Sequence, residues 1–198
     1  YGKLVTEVDC MKIRIEQVVD SLSRGPVLSR VLIVLFRVLA GVAVFLGLIF
    51  ALTLLGAVVN SLGHDAVQAL GMLIALAAVV FYFFLAVKVL LYRAKCFSAH
   101  SGDVYPVISL SALALKASGE LSALFASAWG LFAGIAIWFT GDFLPAVAFP
   151  DFIESIEISF FSGLLAVVAG QIYAVAVLLF FYLLAELLRL LTDIAAKK

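Results

Sequence analysis

Cys96, His100 and Asp103 stand four and then three residues apart. A thiolate, an imidazole and a carboxylate at that spacing could converge on a zinc ion, with Cys10 as a fourth donor. Three ligands of mixed type in one loop make a thin pattern, and an ordinary solvated loop is the better reading. A second set is Gln171 and Tyr173, the most polar groups within a long apolar run, with Ser127, Thr53 and Tyr82 as partners. Such groups could hold the head of a quinone or lipid. The plainer reading is hydrogen bonding between helices, worth about 0.6 kcal/mol per bond. A third set, Asp151, Glu154 and Glu157, falls on one face of a helical pattern that opens at Pro150, with Phe152, Ile153, Ile156 and Phe160 on the other. That is the pattern of an interfacial amphipathic segment rather than of a cation site.

Other chemistry lacks its residues. No nucleophile lies near a base, and there is no phosphate-binding glycine loop and no basic nucleic-acid patch. Ion- and proton-coupled machines place an ionisable group within their spans, and the apolar runs contain no Asp, Glu, Lys, Arg or His. Without histidine in the runs, a haem held by paired imidazoles is unsupported.

The elements that carry these residues follow from composition. The chain has 198 residues, 66% hydrophobic and 13% charged, against roughly 25% charged in globular domains; its mean hydropathy is +1.24. A water-soluble domain of this size could not cover so much apolar surface. Four charge-free runs, Val38–Val59, Ala66–Val87, Leu121–Phe139 and Ile158–Ala185, are each long enough for a hydrocarbon layer about 30 Å thick. They do not alternate as barrel strands do, so helices are expected. The expected fold is an all-α integral membrane protein with four transmembrane helices.

The charges fix direction. All 13 Lys and Arg lie before the first run, between the second and third, or after the fourth. The two other loops hold only acids: Asp65, then Asp142, Asp151, Glu154 and Glu157. The positive-inside rule puts both termini and the central loop in the cytoplasm, and the expected location is a bacterial-type cytoplasmic membrane. The connection 60–65, with Asn60, Gly63 and His64, is short enough to make the first two spans antiparallel. The expected organisation is a cytoplasmic segment 1–25, a first hairpin 26–95, a cytoplasmic loop 96–105, and a second hairpin 106–198 with an outer segment 140–157. Residues 39–45 match 132–138, and Gly71, Ala75, Ala77, Phe81, Leu85 and Ala86 match Gly170, Ala174, Ala176, Phe180, Leu184 and Ala185. This suggests a parallel duplication of one hairpin. Pro26 and Pro106 sit where proline suits a helix start.

Helices in lipid associate through small residues that let backbones approach. Ser118, Ser122, Ala126, Gly130 and Gly134 form such a ladder, as do Ala43, Gly47 and Ala51, and Ala166, Gly170 and Ala174. They predict a tight four-helix bundle, or one with a ladder left for a partner. Trp138 is expected at the outer interface and Trp129 inside the bundle. Arg37 and Lys88 can snorkel to the headgroups. Helical pattern continues beyond the lipid in 27–59 and 106–139. Lys116 and Glu120 share a face, and Glu186 can pair with Arg189. In the amino-terminal segment Leu4, Val8, Met11, Ile15, Val18 and Leu22 recur at spacings of a heptad seam. This cytoplasmic amphipathic helix would lie on the membrane, pack on the bundle or meet another chain.

The function expected from this pattern is a non-catalytic structural or accessory subunit of a larger membrane complex, with no cofactor beyond bound lipid. Its partners would be lipid and other membrane subunits or further copies, not nucleic acid. A small oligomeric pore or transporter is the first alternative. A quinone- or lipid-binding subunit of a membrane enzyme is the second.

Overall fold

A computed structural model describes residues 26–63, 65–99, 106–139 and 160–196. Among them are four helices and no strand: α1 (Pro26–Ser61), α2 (Ala66–Ala99), α3 (Pro106–Phe139) and α4 (Phe160–Ala196). The heptad seam of residues 4–22, Cys10, the acidic segment 140–157, His100 and Asp103 lie outside the described residues. Each helix is long and apolar enough to cross a membrane. At 34 to 37 residues they reach about 50–55 Å, well past a hydrocarbon layer. Helical pattern therefore continues beyond the charge-free runs, as expected for α1 and α3, and it does so in α2 and α4 as well.

Local chemistry sets the boundaries. α1 and α3 each begin at a proline, Pro26 and Pro106, where the missing N–H costs nothing and φ is already helical. α2 begins behind Asp65, whose Oδ1 accepts from the backbone N–H of Val67 at 2.9 Å and of Gln68 at 3.4 Å. That is an N-cap, satisfying amides that would otherwise have no partner. α1 closes with Ser61 Oγ donating to the carbonyl of Ala57 at 2.6 Å. The connection is short, so α1 and α2 run antiparallel.

α1 packs along α2, α3 packs along α4, and α2 meets α3; α1 and α4 share no extended contact. The bundle is thus open between its first and last helices, not closed as a tight four-helix bundle would be. We call the end holding Pro26 and Ala99 basal and the end holding the 62–65 turn distal. Long apolar side chains line the outside: Phe45, Phe161 and Ile172 are all more than 60% exposed, which only lipid or a partner can cover. Trp129 is on this outer surface, stacked on Phe125 with centroids 6.1 Å apart. This corrects its expected place inside the bundle. Neighbouring Gly130 needs the α4 contact, and a bulky ring beside it is turned outward.

The two ends are packed differently. At the basal end Phe36 and Ala40 of α1, Leu90, Ala94 and Phe97 of α2, and Leu110, Leu113 and Ala117 of α3 form one buried cluster. Phe36 and Phe97 stand 5.0 Å apart, and Ser29 Oγ donates to the Phe97 carbonyl at 2.8 Å. The inward positions of α1, Ser29, Ile33, Phe36, Ala40, Ala43 and Gly47, alternate by four and three, the spacing of knobs-into-holes packing. Nearer the distal end, contact depends on glycine.

Candidate functional site

Two polar clusters and one glycine contact join α2, α3 and α4. Along α3–α4 the backbones nearly touch. A Cβ added to Gly130 would come within 2.6 Å of the Gly170 Cα and 3.0 Å of the Ala166 carbonyl oxygen. One added to Gly170 would meet the Gly130 Cα at 2.5 Å. Gly134 faces Val167 and the Gly163 carbonyl, and Gly163 lies under the indole of Trp138, whose Nε1 donates to the Phe160 carbonyl at 3.0 Å. The ladders of α3 and α4 therefore meet one another. Ala126, Gly130 and Gly134 are buried, as is Ala174, whereas Ser118 and Ser122 are exposed. The buried part of the α3 ladder starts at Ala126. On α1, Ala43, Gly47 and Ala51 are half-buried, and Gly47 receives the ring of Phe83, with an added Cβ 2.8 Å from its Cγ.

The first polar cluster lies in the middle of the apolar zone. Ser127 Oγ donates to Gln171 Oε1 at 2.8 Å, and Gln171 Nε2 donates back to the Ser127 carbonyl at 3.3 Å. The Tyr82 hydroxyl lies 2.7 Å from Ser127 Oγ. With its one proton committed to Gln171, Ser127 accepts from Tyr82. Three helices are tied through one serine. Gln171 remains exposed on the outer side. Tyr173 points elsewhere and is 65% exposed, and Thr53 donates to the carbonyl of Ile49 on its own helix at 2.9 Å. Of the polar groups singled out in the sequence, Gln171, Ser127 and Tyr82 converge, while Tyr173 and Thr53 do not join them.

The second cluster lies roughly 20 residues from the distal contacts of Gly71 with Phe139 and Gly163 with Trp138, about 30 Å along each helix. That is the thickness of a hydrocarbon layer. Here Arg93 of α2 grips Glu120 of α3 with two limbs: Nε donates to Oε2 at 2.8 Å and Nη2 donates to Oε1. Tyr182 of α4 adds its hydroxyl to Glu120 Oε1 at 2.7 Å and accepts from Arg93 Nη2 at 3.3 Å. One turn further out, Lys116 donates to Glu186 Oε1 at 2.6 Å, with Arg189 at 3.8 Å from the same oxygen. A two-limbed arginine–carboxylate pair fixes orientation as well as distance. Arg93 is buried, and its charge and that of Glu120 hold each other at this depth.

Both clusters share one side of the bundle. Tyr82 and Arg93 on α2, and Gln171 and Tyr182 on α4, are each about three turns apart, while Glu120 and Ser127 on α3 are about two turns apart. Each of these side chains hydrogen-bonds to at least one other residue of the stripe. It can clamp three helices, and it offers no nucleophile–base pair. Cys96 is half-buried against the basal cluster. Among the described residues no group of three His, Cys, Asp or Glu side chains converges on a point where a metal could sit.

Arg93 and Tyr182 were not singled out in the sequence. One signal was available: Arg93 and Glu120 are opposite charges flanking apolar runs at the same end. No family model matches the chain, and comparison with curated proteins and with solved structures finds no similar protein.

Proposed function

We propose that this chain is a non-catalytic accessory subunit of a membrane complex, crossing the bilayer four times with both termini in the cytoplasm. In this reading the basal end is cytoplasmic, because the described cations gather there and the distal turn carries Asp65. The hairpins α1–α2 and α3–α4 are the building units. The repeated sequence sits in unlike surroundings in the two halves: Gly41 has nothing near it whereas Gly134 is clasped by α4, and Gly71 faces Phe139 whereas Gly170 faces Gly130. A duplicated hairpin would thus have diverged in how its halves pack.

The observation that carries the proposal is the end of α4. Leu183, Leu187, Leu190 and Ile194 recur at heptad spacing with Leu191 beside them, all more than half exposed. Leu187 and the residues after it lie beyond Glu186, past the depth at which the ion network marks the edge of the lipid. Lipid tails do not reach such a seam, and water opposes leaving it bare. Its occupant is a helix of another subunit bearing a matching apolar seam. The small-residue ladders of α3 and α4 are already used within the chain, so docking falls to this extension.

Photo-crosslinking tests the proposal. A benzophenone side chain at Leu190 should give one discrete adduct in native membranes, abolished by Leu187→Asp and Ile194→Asp. The same group at Phe161 should give only diffuse lipid adducts. A monodisperse monomer in mild detergent, with no adduct from Leu190, would sink the idea.

A further inference from the structure

The described residues contain seven cations, and they divide by face. Arg93, Lys116 and Arg189 lie against Glu120 and Glu186 on the α2–α3–α4 side. Arg30, Arg37, Lys88 and Lys95 are exposed, and no acid among the described residues pairs with them.

These four share one surface. Arg30 and Arg37 are one heptad apart on α1, each directly following an inward position, Ser29 or Phe36. Lys88 and Lys95 are one heptad apart on α2, each directly following an inward position, Val87 or Ala94. In an antiparallel pair, equal rotations from the shared seam bring side chains out on the same side of the pair. The register is fixed by Ser29 opposite Phe97 and Gly47 opposite Phe83, so the cations form two tiers. Arg37 and Lys88 sit at the ends of the charge-free runs. Arg30 and Lys95 lie about 10 Å further towards the basal tip. Lys88 is held at the lower tier with Nζ 4.5 Å from the ring centre of Phe84, itself exposed to the apolar zone.

We propose that the basal α1–α2 face is a binding site for anionic phospholipid, with Arg37 and Lys88 reaching out to the lipid phosphates from the ends of the charge-free runs and Arg30 and Lys95 drawing in the rest of the headgroup. Basic groups just beyond a span attract anionic headgroups additively. Arginine forks onto phosphate and lysine acts as a point charge. Two cations within reach of the phosphates favour a lipid with two phosphates over one with one. The opposite side of the bundle, with its cations spent on carboxylates, lacks this attraction. The inference requires only that the chain sits in a bilayer, not that it docks to another subunit.

The test uses the full chain in mixed micelles, with retained lipid read by native mass spectrometry. Probes are a two-phosphate lipid of cardiolipin type, phosphatidylglycerol and phosphatidylcholine. The chain should retain the two-phosphate lipid best and phosphatidylcholine least. Arg37→Gln with Lys88→Gln should weaken anionic-lipid retention roughly tenfold or more, while Arg37→Lys with Lys88→Arg keeps most of it. Arg30→Gln with Lys95→Gln, on the more peripheral tier, should give a smaller loss and is the reading to use if the first pair does not fold. Equal retention of all three lipids, equal retention by the neutralised and charge-preserving pairs, or displacement of lipid by millimolar inorganic phosphate would each overturn the proposal.

Discussion

The basal cluster and the α3–α4 contact solve the same problem in opposite ways. At the basal end the helices are held by large side chains: Phe97 and Leu110 are fully buried, and Phe36 packs on Phe97. Between Gly130 and Gly170 the helices are held by having almost no side chain at all. The change comes near the level of Arg93 and Glu120, and a passage from water to lipid near that level would explain it. In water, covering a phenylalanine removes apolar surface from solvent, a gain of about 25 cal/mol per Å². In lipid that gain is absent, because the tails outside are as apolar as the ring. What remains is dispersion from close approach, which glycine permits. One chain therefore carries two kinds of core, sorted along the helix axes.

The largest effect should come from filling the glycine contact. Gly130→Val places its branches against the Gly170 backbone, which has no side chain to rotate aside. We expect loss of α3–α4 pairing and little folded protein by size-exclusion in detergent. Gly41→Val, at an open position, should be neutral by the same measure. Next is Phe97→Ala, which should cost about 3–5 kcal/mol in reversible unfolding, as in a soluble core. If it cost no more than Phe161→Ala at the lipid surface, the contrast between the two ends would be wrong.

Between these regions lies the ion network. Arg93→Leu should cost about 3 kcal/mol by leaving the part-buried Glu120 without its partner. The double variant Arg93→Leu with Glu120→Leu should recover most of that loss. A double variant as unstable as the single would mean that the pair supplies more than mutual neutralisation. The smallest effect belongs to the mid-zone hydrogen bonds, where Gln171→Leu should cost about 0.6 kcal/mol.

What could be read from residues alone follows the same division. The four long apolar helices were legible because lipid forbids an unpaired backbone and a bare charge, and both bans act on any apolar run regardless of its neighbours. The glycines were legible for a similar reason, since small residues four apart mark a surface suited to close approach. Where the ladder begins to be buried was not legible: Ser122 and Ala126 look alike until the position of α4 is known. The Arg93–Glu120 clamp was hidden because it joins residues of α2 and α3, and charges alone do not say which helices are neighbours. Lys116 similarly meets Glu186 on another helix, closer than the Arg189 that the sequence put beside it. The Asp65 cap, by contrast, is a purely local pattern, an aspartate directly before an apolar run.

The basal and distal ends should face opposite sides of a bilayer. Impermeant maleimide on intact, right-side-out cells tests this directly, using Leu62→Cys at the distal turn and Ser98→Cys at the basal end, with Cys10 and Cys96 replaced by serine. The account predicts that Leu62→Cys is labelled at once and Ser98→Cys only after permeabilisation. Labelling of both from the outside, or of Ser98→Cys alone, would contradict it.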